Sequence, residues 1–506
     1  MYTVRVSSEL NDRLDAEFYS PVALATVEKI RRRGKTKMLG QLISDGYRVV
    51  YHGTDSTIGI TDEGKLLPFL SPTQIDDQGG IDFDSVSKLP LYYKDEYPKG
   101  LAKAGELLIE VKGNVSKVGI VPDNFPKNLM ISGSLYKATF KIEANSRYIL
   151  AFLKSHHGQI LKNRLTSNTI INYIAKDALY SIPLLVVDIT AQMYIGEKIH
   201  QAEQLRAWVK NYSKEINTLV TNIAIDVACK TTTTLYNRPQ VDDLTDRLDP
   251  KYFGNRAVAV FRQSKDLGTP LADLVVSIAN GFEERVFVDQ GIDYVTVTEV
   301  SSGRLDLSSA PKISNATQVP TKAKIHERCV LVVRTGSIGN AVKVDARDSG
   351  AVISSHLIRL EFANEAMAAA VAAFLNSEAG KIIQHKISYG AVQPQIGQDE
   401  LLALPIPKFV LDRKELILDR LTLCESAIRA SKSLTAASCL LIETLIEGQI
   451  DENLLVTAQG LLQTGNDSLD RSILARLKTD GLDGQGQPLF ADLDQLYSLL
   501  NQAKQD

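Results

Sequence analysis

The sequence predicts an α+β chain built as a tandem duplication. A mixed α/β domain followed by a long helix is written twice, and the two helices pair as a coiled coil. Three observations lead there. The stretches Asp12-Arg13-Leu14-Asp15-Ala16-Glu17-Phe18-Tyr19 and Asp246-Arg247-Leu248-Asp249-Pro250-Lys251-Tyr252-Phe253 share Asp-Arg-Leu-Asp, two residues and an aromatic pair, 234 positions apart in a chain of 506. A series of β-like anchors recurs at a near-constant offset. Each copy then ends in a helix with apolar residues at heptad spacing.

In chain order, the first signature leads into a helix-like stretch, Val22 to Lys37, that ends in the basic cluster Arg31-Arg32-Arg33-Gly34-Lys35. That cluster reads as a solvated helix end. Short β-like runs follow at Tyr47 to Tyr51, Leu66 to Ser71, Leu107 to Val111, Val118 to Val121 and Leu135 to Lys141, with glycines between them. A helix is expected over Arg147 to Asn163. The second copy repeats the order. Leu108 to Val115 matches Leu331 to Ile338 at an offset of 223, and Ile131 to Leu135 matches Ile353 to Leu357 at 222. Ala151-Phe152-Leu153-Lys154-Ser155 matches Ala373-Phe374-Leu375-Asn376-Ser377, Ile174 matches Ile396, and Pro183 matches Pro405, all at 222.

The first long helix places Ala202, Leu205, Val209, Tyr212, Ile216, Leu219 and Ile223 at alternating spacings of three and four, flanked by charges such as Glu197, Lys198 and Lys210. The second keeps that spacing with smaller, more polar residues: Leu421, Cys424, Ile428, Ser431, Thr435, Ser438, Ile442 and Leu445. The expected boundaries are a first domain over 1–187, a helix over 188–230, and a linker over 231–245 that opens with the run Thr231-Thr232-Thr233-Thr234. A second domain over 246–410, a helix over 411–449 and an acidic extension over 450–506 complete the plan. The extension reads as one or two short helices around the Gly481 to Gly486 loop.

Composition excludes several classes. Apolar content of 44% and charged content of 23% are those of an ordinary globular protein. The start is polar and has no signal-peptide core, and no apolar run approaches the roughly 20 residues that span a bilayer, so cytoplasmic location and no membrane partner are expected. Cys229, Cys329, Cys424 and Cys439 form no Cys-x-x-Cys. Net charge is −3, but the segment after Gly448 holds nine acidic and four basic residues, which leaves the rest slightly basic.

No phosphate loop, dinucleotide turn or nucleophile elbow is present. His156-His157 lacks metal-ligand spacing and reads as a surface pair; no metal site is expected. One catalytic look-alike exists: Asp95, then Glu110-Val111-Lys112, the acid…acid-x-Lys layout of magnesium-dependent nucleases. The second copy has Val333-Arg334-Thr335 at that place, which cannot hold a metal.

The second copy reads Val330-Leu331-Val332-Val333-Arg334-Thr335-Gly336-Ser337-Ile338-Gly339. It continues with Ile353-Ser354-Ser355, Ser388-Tyr389-Gly390-Ala391-Val392-Gln393-Pro394-Gln395-Ile396 and Leu404-Pro405-Ile406-Pro407. This series, with the ending Leu441 to Ile450, resembles the target-recognition domains of Type I restriction–modification specificity (S) subunits over about residues 10 to 450. The first copy departs at 168–174, where Gly-Ala-Val-Gln-Pro-Gln-Ile is replaced, and at Asn114 to Lys117, which lacks Ser-Ile-Gly. The extension after 450 lies outside the usual pattern.

The resemblance implies recognition rather than catalysis: a non-catalytic subunit that reads an asymmetric bipartite site in double-stranded DNA across a fixed gap. Expected partners are methyltransferase subunits, two in number, and a motor–nuclease subunit. S-adenosylmethionine and Mg/ATP belong on those partners and no cofactor on this chain. A helix of about 35 residues is roughly 50 Å long, or about 15 base pairs at 3.4 Å each, so helix length would set the unread gap. Candidate DNA contacts in the first copy are Lys112, Asn114, Lys117, Tyr47, Arg48, His52 and Tyr173. In the second they are Arg334, Thr335, Ser337, Arg285 and Gln393, with Glu283 and Glu284 as neighbouring loop polar groups. The turn after the shared strand offers donors on a glycine-permissive backbone; its plainer reading is a hairpin turn that needs glycine. A magnesium-dependent nuclease and a sequence-independent DNA scaffold are the alternatives. Arg13 and Arg247 are expected to lock the chain entry rather than touch substrate.

Overall fold

Among the described residues, nine strands in the first copy find nine counterparts in the second, paired in the same order. The computed structural model describes residues 13, 16–51, 53–167, 171–234, 236–247, 249–301, 303–390 and 392–505. The first copy contains β1 (Thr36–Met38), β2 (Ile43–Tyr47), β3 (Leu66–Leu70), β4 (Ser87–Pro90) and β5 (Leu107–Glu110). It continues with β6 (Val118–Ile120), β7 (Met130–Ile131), β8 (Leu135–Phe140) and β9 (Pro183–Leu185). The second has β10 (Gly268–Pro270), β11 (Val275–Asn280), β12 (Ile292–Val295), β13 (Lys312–Ile313), β14 (Cys329–Val333), β15 (Ala341–Lys343), β16 (Val352–Ile353), β17 (Leu357–Phe362) and β18 (Pro405–Pro407).

A four-stranded antiparallel sheet runs β2-β8-β5-β6 in one copy and β11-β17-β14-β15 in the other. A three-stranded sheet runs β4-β3-β7, then β13-β12-β16, with β3–β7 and β12–β16 the parallel pairs. The first and last strands of each domain pair as β1–β9 and β10–β18. Even the irregularities recur: register shifts between Ile43 and Asp45 and between Val275 and Ser277. Every residue of β5 and β14 is buried, which explains the apolar runs Leu107-Leu108-Ile109 and Val330-Leu331-Val332-Val333. The cores match position by position, with Leu70, Leu108, Val121, Ile131 and Leu135 in one, and Val295, Leu331, Val344, Ile353 and Leu357 in the other. The duplication is therefore one of topology and register as well as sequence.

Several local expectations change. The strand expected to begin at Tyr47 ends there instead, as β2, and β1 precedes it at Thr36–Met38. The helix α1 is Pro21–Arg33. The helix expected over 147–163 is two, α2 (Ser146–Lys154) and α3 (His156–Arg164). Ser155 breaks it by accepting the Gly158 amide at 3.2 Å, and a Cβ at Gly158 would collide with the Phe152 carbonyl. The second copy does the same with Ser377 and Gly380 at 3.1 Å, and a Cβ there would meet Phe374 O.

The long helices are α4 (Ile189–Val220) and, after α5 (Ile223–Cys229), α6 (Asn255–Asp266), α7 (Glu365–Asn376) and α8 (Glu378–Ile387), α9 (Lys414–Glu447). The heptad run was extended too far. Ile223 is 86% exposed and belongs to α5, which Asn222 caps by accepting the Ile225 amide at 2.9 Å. The chain divides into two compact units, residues 1–209 with 427–506, and residues 210–426. Within the first, Tyr194, Ile195, Ala202, Leu205 and Val209 are buried, and Ser438 Oγ of α9 donates to the Ile195 carbonyl of α4 at 3.1 Å. Two other residues of the polar seam of α9 are satisfied by its own backbone: Ser431 donates to Ile428 O at 2.8 Å and Thr435 to Ser431 O at 3.1 Å. Within the second unit, Arg413 donates to Leu219 O at 3.0 Å, and Arg420 lies 3.6 Å from Glu215 and over the Tyr212 ring.

The extension folds as three helices, α10 (Glu452–Gln463), α11 (Ser468–Arg476) and α12 (Leu493–Gln505), with a β19–β20 hairpin (Leu477–Lys478, Gly481–Leu482). It covers the flank of α4. Lys198, expected as a charge flanking the heptad seam, is fully buried, and its ammonium meets the buried Asp470 at 2.6 Å. Tyr194 and Tyr497 donate to the same carboxylate at 2.6 and 2.5 Å. Arg33 is exposed, as expected of a solvated helix end, but it is also partnered. It donates to Leu445 O at 2.7 Å and Ile450 O at 3.2 Å, closing the C-terminus of α9. His157, expected on the surface, is buried 3.6 Å from Glu447, while the His156 amide donates to Glu443 at 2.7 Å. Among the described residues, no single helix is long and apolar enough to cross a membrane.

Candidate nucleic-acid interface

In each domain the candidate residues leave the same end of the four-stranded sheet. That end is formed by the C-termini of β2 and β5 and the N-terminus of β8, or by those of β11, β14 and β17. Antiparallel pairing puts these three ends side by side, so loops distant in sequence share one rim.

In the first domain, Tyr47 closes β2 and Arg48 follows it. The loop after β5 carries Lys112 and Asn114 outward, both exposed. The segment ending in Tyr173 is stitched to that loop: Lys112 bridges Tyr173, Gly113 N donates to Asn172 O at 3.1 Å, and Ile174 N donates to Val111 O at 2.9 Å. The Arg48 guanidinium lies 5.1 Å over the Tyr173 ring, which holds its charge at the rim. Tyr47, Arg48, Tyr173 and Lys176 line a cleft of about 260 Å³. The structure thus gathers Tyr47, Arg48, Lys112 and Tyr173. It does not gather Lys117, which is ion-paired with Asp77. His52 lies outside the described residues, as do Asp12, Leu14 and Asp15 of the first signature, and 168–170.

The same stitch recurs in the second domain. Thr335 bridges Gln395, Gly336 N donates to Pro394 O at 3.0 Å, and Ile396 N donates to Arg334 O at 2.9 Å. Gln393 is exposed in this turn and Ser337 in the other. Thr335, expected as a contact, is buried and acts as the bridge residue. The Arg285 loop starts at the same rim, because Ser355 N donates to Phe282 O at 3.0 Å. Its guanidinium pairs with Glu283 at 2.6 Å, and Glu284 accepts the Arg285 and Val286 amides at 2.8 and 3.0 Å. Leu248 and Ala391 lie outside the described residues.

Sequence reasoning missed Lys176 and Lys99; the Lys99 ammonium lies 5.8 Å from the Tyr47 ring centroid. It also missed the exposed apolar tips Val286, Phe287 and Val392. A lysine beside the tyrosine-rich run 92–97 was the available signal for Lys99; nothing in the sequence marked the others.

The nuclease layout does not survive the geometry. Glu110 is buried, and its carboxylate accepts the amides of Asn114, Ser116 and Lys117 at 3.1, 3.0 and 3.1 Å. Those oxygens already hold a turn together, while Asp95 is an exposed residue of a one-turn helix. Among the described residues no group of three or more His, Cys, Asp or Glu is placed to hold a metal ion.

The signature arginines have one role in both copies. Arg13 donates to Leu165 O at 2.9 Å and Thr166 O at 2.8 Å, at the end of α3. Arg247 donates to Ile387 O at 2.5 Å and Ser388 O at 2.8 Å, at the end of α8, and also pairs with Asp249.

Among solved structures, the chain is similar to the Type-I restriction-modification system S subunit from M. genitalium, with 14% identity, 82% of this chain and 96% of that chain covered, and a TM-score of 0.35. It is also similar to the HsdS subunit from Thermoanaerobacter tengcongensis, with 12% identity, coverage of 82% and 97%, and a TM-score of 0.28. A third similar chain belongs to a structure of the type I R-M system described for its complex assembly and conformational transition, with 11% identity, coverage of 82% and 98%, and a TM-score of 0.28. No family model and no curated protein matches the chain.

Proposed function

We propose that this chain is the DNA-specificity subunit of a Type I-like methyltransferase or restriction complex. The observation that carries the reading is the duplicated rim. Two domains with the same strand order present the same pair of stitched turns, and each fills them with different polar, basic and aromatic side chains. Phosphate contacts position a protein on a duplex and base-edge contacts specify the sequence. Two rims with different residues therefore read two different half-sites, giving an asymmetric bipartite target.

Under this reading Lys112, Asn114, Tyr47, Arg48 and Tyr173 act in one half-site, and Arg334, Ser337, Arg285 and Gln393 in the other. The paired helices, 32 and 34 residues long, set the gap and offer the surface for two methyltransferase subunits and a motor–nuclease subunit. The chain itself is non-catalytic, acts in the cytoplasm and carries no cofactor. S-adenosylmethionine, Mg and ATP are handled by the partners. The engaged Glu110 carboxylate favours this over a nuclease.

Methylation sequencing of a host carrying the whole system tests the proposal. A two-part motif with a fixed gap is expected, lost when this chain is deleted. A motif that stays fully methylated without the chain overturns it.

A further inference from the structure

We infer that Glu110 and Lys162 are positioning residues that fix the first domain's reading loop, and with it the half-site that this domain accepts. The inference rests on the specificity role proposed above. The loop after β5 is held from two sides. Glu110 takes three of its amides, and the fully buried Lys162 of α3 donates to the Val115 and Ser116 carbonyls at 3.2 and 3.1 Å.

Between these clamps Val115 is forced to φ +60°, with its side chain buried. A β-branched residue there is strained and persists only when its surroundings over-determine it. The consequence is directional. The inward polar groups of the turn are committed to Glu110 and Lys162, so Lys112 and Asn114 point outward from a rigid base.

The second domain builds the matching turn without charge. Val333 stands where Glu110 does and Gln384 where Lys162 does. Gln384 donates to Leu375 O and Gly380 O in its own helical region rather than to the turn. Gly336 matches Gly113 in positive φ, +89° against +120°, and the second positive φ of the turn falls on Gly339, at +112°, rather than on a β-branched residue such as Val115. The charged clamp is therefore a property of one reading head, and its loss should alter one half of the motif only.

The test uses the full chain assembled with its partners, in three forms: Glu110→Gln, Lys162→Met, and the exchange E110V/K162Q that installs the second domain's residues. Two readouts are taken. Amide exchange over 113–117 is expected to accelerate at least tenfold while amides of the second domain keep their rates, which also reports that the variants fold. Methylation sequencing is expected to show one half of the motif relaxed, or methylated at least tenfold less at its original bases, with the other half read as before. Unchanged exchange over 113–117 in Glu110→Gln overturns the inference. So does an equal change in both halves. If the wild-type system yields no two-part motif, the specificity role itself falls, and the exchange readout alone then judges the clamp.

Discussion

The Arg247 guanidinium donates to the Ser388 carbonyl at 2.8 Å, joining the residue that opens the second domain to the end of a helix 141 positions later. Arg13 reaches Thr166 at the same distance in the first domain. The last carbonyls of a helix have no partner within it, and a guanidinium can serve two at once. Replacing Arg247 or Arg13 with alanine should cost about 1–3 kcal/mol, the usual penalty for stranding part-buried polar groups. Lysine at either place should cost less. Chemical denaturation checks this; an unchanged midpoint for both alanine variants would remove the capping role.

The extension is held by a buried ion pair. Removing one partner of such a pair leaves an unpaired buried charge, which costs about 3–5 kcal/mol. Lys198→Met alone or Asp470→Asn alone should therefore loosen 450–506 to limited proteolysis, and the double apolar replacement K198M/D470L should recover much of the loss. Burial alone would raise the Asp470 carboxyl, but the Lys198 ammonium and the hydroxyls of Tyr194 and Tyr497 outweigh it and hold the group below its ordinary 3.8. A depressed folded pKa stabilises above 3.8 and loses that contribution as pH falls through the folded value. Proteolysis at neutral and mildly acidic pH should thus be alike, with release of the extension only in strong acid.

Lys162 gives a pH signature of opposite sense. Burial, aided by the Lys154 charge and opposed by Glu110, brings its ammonium down from 10.5 to about 7. The folded chain sheds this proton near 7 while the unfolded chain keeps it until about 10.5, so the unfolded state binds more protons across that window. Stability should rise with pH there relative to Lys162→Met, which lacks the group. Parallel urea titrations at pH 7 and 9.5 compare the two; equal differences at both pH values would contradict the assignment.

On DNA, Lys112→Ala should weaken binding of the assembled complex to all sequences alike and lower the salt slope by about 1, as expected for a phosphate contact. Arg334→Ala should instead relax one base position, by roughly 1–3 kcal/mol. Salt titrations on matched and singly mismatched duplexes separate the two behaviours. Uniform weakening by Arg334→Ala would move that residue to the backbone-contact class.

The duplication was legible in the chain because backbone pairing and core burial act on local pattern. Leu108, Ile131 and Leu135 recur as Leu331, Ile353 and Leu357, since corresponding strands of the two copies pack the same apolar positions into matching cores. The rim itself was half legible. Lys112 and Tyr173 were marked by glycine-bearing turns, but only the β-bridge between them, 61 positions apart, makes them one surface.

What tertiary structure decided are the fates of charged side chains, whose cost depends on partners far along the chain. Arg33 is exposed as the sequence suggests but also takes the carbonyls of 445 and 450, and Lys198 reads as a heptad flank until Asp470 meets it from 272 positions away. Glu110, which the sequence offers only as a catalytic look-alike, takes three amides of its own turn. Apolar periodicity specifies which face is buried. Whether a charge is surface, clamp or ligand is settled by what folds against it, and for Lys198 that partner lies 272 positions away.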